Sequence, residues 1–160
     1  MTAVFSEDRV YRYYLERTID PLINNQRSVC FVMLNPSIAD ETEPDPTIRK
    51  CIGFAKRWGY GVLRVVNLFA LVSTDPKGLK SHPAPVGPDN DMWITRATYD
   101  AERIVCAWGT HGTLHGRGRD VWGLLSDSVL LSFKTTANGQ PWHPLMLAYE
   151  TPLSLCEEPT

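Results

Sequence analysis

The chain has no surplus of positive charge. Its 160 residues carry 16 Lys and Arg against 18 Asp and Glu, a formal net charge of −2. Tight nonspecific DNA binding draws its affinity from phosphate neutralisation by a basic excess, so that class is disfavoured, although a local basic patch stays open. No run of about 18 apolar residues occurs, so no membrane span is predicted. Without a signal-peptide pattern the expected location is cytoplasmic. The four cysteines, Cys30, Cys51, Cys106 and Cys156, lack the CxxC spacing of zinc and redox sites. Cys30 and Cys106 lie in apolar runs, where a reduced thiol packs as a small hydrophobe. Internal repeats and linker-like stretches are also missing.

What is present is an ordinary globular composition, 43% hydrophobic and 21% charged, in a length that fits one α/β domain burying roughly 70% of its unfolded surface. Four short apolar runs recur: Val29–Asn35, Val62–Leu68, Arg103–Gly109 and Ser128–Lys134. They read as strands covered on both faces. Helical patterns separate them. Asp45-Pro46 is an N-cap followed by N1, and Ile48, Cys51, Ile52, Ala55 and Trp58 then form an apolar stripe that Gly59 or Gly61 ends. Gly87-Pro88-Asp89 opens a second helix with Trp93, Ile94 and Ala97 facing a core. A third, weaker pattern covers about Arg119–Ser126. This alternation predicts a three-layer α/β/α sandwich around a mainly parallel, four-stranded central sheet. An edge strand or hairpin arm is expected at about 10–19, the core over 29–147 and a short tail at 151–160.

Right-handed crossovers would bring all four strand ends to one edge, the edge where α/β sheets bind ligands. Those ends read Asn35-Pro36-Ser37, Asn67-Leu68-Phe69, Trp108-Gly109-Thr110-His111 and, after Lys134, Gly139-Gln140-Pro141-Trp142-His143-Pro144. An aromatic ring can stack on a planar base while an Asn reads its edge with one donor and one acceptor group. Each residue also has a plainer reading. Asn35 and Asn67 can satisfy loop backbone, His143 before Pro144 can be a turn residue, and Trp108 can fill space between sheet and helix. The glycine-rich stretch Thr110–Arg119 carries His111, His115, Arg117 and Arg119. It reads as a mobile phosphate-binding loop, yet it does not match G-x-x-x-x-G-K-[ST], so a P-loop is not supported.

Two resemblances follow from these residues. Asn35-Pro36-Ser37-x-Ala39-Asp40, Asp45-Pro46-Thr47, Trp58-Gly59-Tyr60-Gly61, Val66-Asn67-Leu68-Phe69-Ala70, Thr74-Asp75-Pro76, Gly87-Pro88-x-Asn90-Asp91, Ala107-Trp108-Gly109 and Gly139-Gln140-Pro141-x-His143-Pro144-Leu145 together resemble the domain-of-unknown-function family 1643, which implies no activity. More distantly, the element order is similar to that of the uracil-DNA glycosylase superfamily. Asn35-Pro36, Asn67, Trp108-Gly109 and His143-Pro144 occupy, in order, the places of its four motifs. Met33 stands where those enzymes have glycine, and Leu145 replaces the serine after His-Pro.

The glycosylase resemblance implies a site acting on a nucleobase, nucleotide, or single-stranded or flipped-base nucleic acid. Asn35 would orient water or base, Asp40 or Asp45 would serve as general base, and His143 would stabilise the leaving base. Phe69 or Trp108 would stack on the ring. Ser37, Asn67 and His111 would contact substrate, and Arg117 and Arg119 its phosphates. No resident cofactor or metal is expected, apart from Mg²⁺ bound by the acidic stretch Asp40–Asp45. A non-catalytic nucleotide or nucleic-acid binding module and a protein-interaction domain are the alternatives, and the sequence does not set an oligomeric state.

Overall fold

A computed structural model of the chain describes residues 2–22, 26–38 and 45–160. In chain order the described elements are β1 (Thr2–Phe5), β2 (Arg12–Thr18), β3 (Ser28–Met33), α1 (Pro46–Arg57), β4 (Val62–Asn67), α2 (Pro76–Ser81), α3 (Asn90–Tyr99), β5 (Arg103–Cys106), a 3-10 segment (Thr110–Gly116), α4 (Arg117–Leu124), β6 (Leu130–Ser132) and β7 (Ser154–Leu155). The strands form one mixed sheet in the order β1-β2-β4-β3-β5-β6-β7. Its centre is a parallel set, β4-β3-β5-β6. The sheet is seven-stranded rather than four-stranded because antiparallel strands cover both flanks of that set, β2 on β4 and β7 on β6.

The strand expected as an edge strand or hairpin arm is β2, and it is a hairpin arm, with β1 paired to it and taking the edge. The other flank corrects the sequence reading. The expected tail joins the sheet through β7, and Cys156 N–H donates to Leu130 O at 2.8 Å. Helix α2 was not expected either. Asp75 starts it by accepting from Lys77 N–H, with Pro76 in the first turn.

All six residues of β3 are buried, as a parallel strand covered on both faces requires. One face packs Phe31, Met33, Val65 and Val105 against Ile48, Cys51, Phe54 and Ala55 of α1. The other packs Cys30, Val32, Val66 and Ile104 against Ile94 and Ala97 of α3 and Val121 of α4. Helix α1 starts as its sequence dictates, with Asp45 Oδ1 accepting from Ile48 N–H at 2.8 Å and Pro46 in the first turn. It stops in a Schellman arrangement. Gly59 takes φ 80°, Tyr60 N–H donates to Ala55 O, and Gly59 N–H donates to Lys56 O. That stop turns the chain directly into β4, so the helix start and the β4 end come to lie on the same side of the sheet.

The four cysteines are free and buried. Burial pushes the Cys30 thiol up to about 12, which keeps it protonated and inert.

Candidate functional site

At the carboxyl ends of β3, β4 and β5, beside the N-terminus of α1, the chain leaves a cavity of about 350 Å³. Its apolar lining comes from Met33, Leu34, Val65 and Ile48, and its polar lining includes Asn35, Ser37, Asp45, Asn67, His111 and His143. The volume is at the small end of the roughly 300–1,000 Å³ typical of small-molecule sites.

Asn67 closes β4 and is 3% exposed. Its side-chain amide makes no hydrogen bond among the described residues and lines the cavity. Its backbone is clamped instead. Asn90 Nδ2, at the start of α3, donates to Asn67 O at 2.9 Å and Leu68 O at 3.0 Å, and Arg117 Nε, at the start of α4, donates to Leu68 O at 2.8 Å. Two helix starts thus hold the turn that presents this amide.

Asn35 is half committed. Its Nδ2 donates to Ser73 O at 2.7 Å and Pro36 O at 3.1 Å, which leaves Oδ1 as its remaining acceptor. Asp45 is held at both oxygens, Oδ1 by the Ile48 N–H and Oδ2 by the Ser37 hydroxyl. It is therefore a fixed negative charge at the cavity wall.

His143 Nδ1 accepts from Leu145 N–H at 3.2 Å. That bond selects the tautomer with the proton on Nε2. Burial lowers the pKa of this ring below the usual histidine value, and the Asp45 charge only partly opposes the shift. At neutral pH His143 is a neutral donor through Nε2–H. Beside it, Gly109 adopts φ 79°, and a Cβ there would sit 3.4 Å from His143 Cβ. Its N–H donates to Pro141 O at 2.8 Å and ties the β5 end to the His143 segment.

The structure brings Asn35, Ser37, Asp45, Asn67, Trp108, His111 and His143 to one cavity. Others it places elsewhere. Phe69 is fully buried in the core on the α3 and α4 side, because β4 ends at Asn67 and the chain turns inward. Arg117 is buried and paired with Asp91 at 2.5 Å. Arg119 is exposed and lies 3.5 Å from Glu158. Asp40 lies outside the described residues. Trp108 contributes to the wall, but its indole N–H is used internally, donating to Gln140 Oε1 at 2.9 Å.

The glycine-rich stretch after Trp108 forms a 3-10 segment, breaks at Leu114 and His115, and then enters α4. A Cβ on Gly112 would lie 2.1 Å from Trp108 Cδ1, and one on Gly118 would lie 2.8 Å from Gln140 Oε1. These glycines let the chain close over the indole.

Two residues here have no role in the sequence reading. Arg12, on β2, is 4% exposed and lines the cavity, so it brings a positive charge to the site. Gln140, fully buried, anchors Trp108 and donates to Thr160 O at 2.9 Å. Among the described residues no three His, Cys, Asp or Glu side chains gather as a metal site, and no helix is long and apolar enough to cross a membrane.

Fold and site together define a layered α/β protein with a small polar cavity at the carboxyl edge of its parallel strands. The family model described as "Protein of unknown function (DUF1643)" matches residues 12–145. The chain belongs to that family. No curated protein and no solved structure matches it.

Proposed function

We propose that this cavity binds a nucleobase, alone or within a nucleotide, and that cleavage of an N-glycosidic bond is the reaction its residues suit best. The observation that carries the reading is the Asn67 amide, one donor group beside one acceptor with no hydrogen bond among the described residues, in a small cavity that His143 also lines. A planar heterocycle presents that mixture of donors and acceptors along its edge, and its faces suit the apolar lining.

In the reaction, water attacks the sugar C1′ and the C1′–N bond breaks with its electron pair leaving on the base. His143 Nε2–H donates to the base oxygen where negative charge accumulates, a stabilisation that strengthens as the bond breaks. Asn35 Oδ1 accepts from the attacking water. Asp45 stabilises the cationic sugar, and the proton that the attacking water releases neutralises the departing base anion. The order of the four motifs, similar to that of the uracil-DNA glycosylase superfamily, supports this assignment. Met33 and Leu145, which depart from it, count against uracil in particular.

Both Asp45 oxygens are already bonded, and this favours a second reading, a nucleotide-binding module without turnover. A thermal-shift screen of bases, nucleosides and nucleotides, with and without Mg²⁺, tests both. A ligand at about 100 times its Kd adds about 2.7 kcal/mol, a rise of roughly 5–11 °C for a domain of this size. The expected result is a selective rise that Asn67→Ala and His143→Ala abolish, followed by free base among the products. Bound ligand without product favours the second reading. No shift in folded protein refutes both.

A further inference from the structure

A second groove, of about 420 Å³, adjoins the first cavity. The two share Gly109, Thr110 and His143 as a common wall. Gly109 keeps that wall thin, since it carries no side chain and lies against the His143 Cβ. Beyond the wall the character changes. The groove is lined by Trp142, Leu145 and Met146, with Met146 86% exposed and Trp142 37% exposed. Lys134 Nζ lies 5.6 Å from the Trp142 ring centroid. Trp142 is fixed at its backbone, where its N–H donates to Lys134 O at 3.0 Å, while its ring stays accessible.

We infer that this groove takes the neighbouring base of a single-stranded oligonucleotide whose first base occupies the polar cavity. The inference rests on the base-binding reading of that cavity and extends it from a free base to a strand. A platform of one accessible indole with a lysine beside it matches what a strand offers, a base face to stack and a phosphate to neutralise. Stacking is tolerant of base identity, and the groove offers the Trp142 ring with Leu145 and Met146, whereas the first cavity adds Asn35 and Asn67 to its apolar lining. The division of labour is therefore recognition at Asn67 and His143, and hold at Trp142.

Isothermal titration of the full chain with the four deoxynucleoside monophosphates and the sixteen deoxydinucleotides tests this. The best dinucleotide should bind about 5- to 150-fold tighter than its tighter-binding constituent mononucleotide, the range that one stacked base supplies. Trp142→Ala should bring the dinucleotide down to the mononucleotide level and leave mononucleotide binding unchanged. Trp142→Phe should retain most of the gain, and Lys134→Ala should lose a smaller, salt-sensitive part. Met146→Ala, at a largely exposed position, should weaken the dinucleotide alone and guards against misfolding of the tryptophan variant.

Dinucleotides no tighter than mononucleotides, with mononucleotide binding still abolished by Asn67→Ala, would overturn the strand and leave the base reading standing. Full dinucleotide affinity in both Trp142→Ala and Met146→Ala would overturn it equally. Absence of binding by either ligand class would overturn both readings.

Discussion

Replacing Asp45 separates its two structural duties from its charge. Asp45→Ala removes the acceptor of the Ile48 N–H and the partner of the Ser37 hydroxyl. Loss of an N-cap costs about 1 kcal/mol. The Ser37 bond adds about 1 kcal/mol or less, because a half-buried hydroxyl regains water. The sum, about 2 kcal/mol, lowers Tm by roughly 4–8 °C for a domain of this size. Asp45→Asn retains an oxygen for the Ile48 N–H and should cost less than half as much. It also removes the negative charge that partly holds the His143 pKa up against burial, so the imidazole should titrate still lower. Urea unfolding gives the stability difference, and the His143 ring signals across a pH series give the titration. Equal destabilisation by Ala and Asn would refute the cap assignment. An unmoved His143 titration would refute the electrostatic link.

Three other perturbations follow from single contacts. Gly112→Ala places a methyl 2.1 Å from Trp108 Cδ1 and should destabilise by about 1–3 kcal/mol or more, read by denaturant midpoint, whereas a surface loop would accept it. Arg117→Met removes the charged donor to Leu68 O and should cost about 1.5–3 kcal/mol; a phosphate-binding role would instead lower nucleotide affinity with stability intact. Because the folded His143 pKa lies below its unfolded value, the unfolded state takes up its proton first on acidification. Its contribution is therefore complete above about pH 6.5 and is lost as pH falls toward the folded pKa. His143→Gln should flatten that part of the stability profile, and an unchanged slope would refute the neutral assignment.

Elements set by local chemistry were legible from the sequence. Asp45-Pro46 announces the start of α1 and Gly59 its end, and the apolar run of β3 can only be a strand covered on both faces. The convergence of Asn35, Asn67 and His143 followed from right-handed connections between parallel strands. What was not legible depends on partners distant in sequence. β1 is four residues long and β7 two, so each exists by pairing with a neighbouring strand rather than by its own pattern. Arg12, between two tyrosines, reads as solvent-facing until β1 and the cavity enclose its strand. Gln140, flanked by Gly139 and Pro141, reads as a turn residue, yet the Trp108 indole requires an acceptor there. Phe69 misleads in the opposite sense, since two residues past the strand end the chain has already turned into the core.

The base-binding reading is tested most directly by following side-chain amide signals in ¹⁵N-labelled protein during titration with each of the four nucleosides. Asn67, lining the cavity, should shift along a saturating curve for at least one of them, with Asn35 following. Gln140, sealed behind Trp108, should stay still. An Asn67 signal that does not move while the protein is folded, or movement confined to residues away from the cavity, would contradict the account.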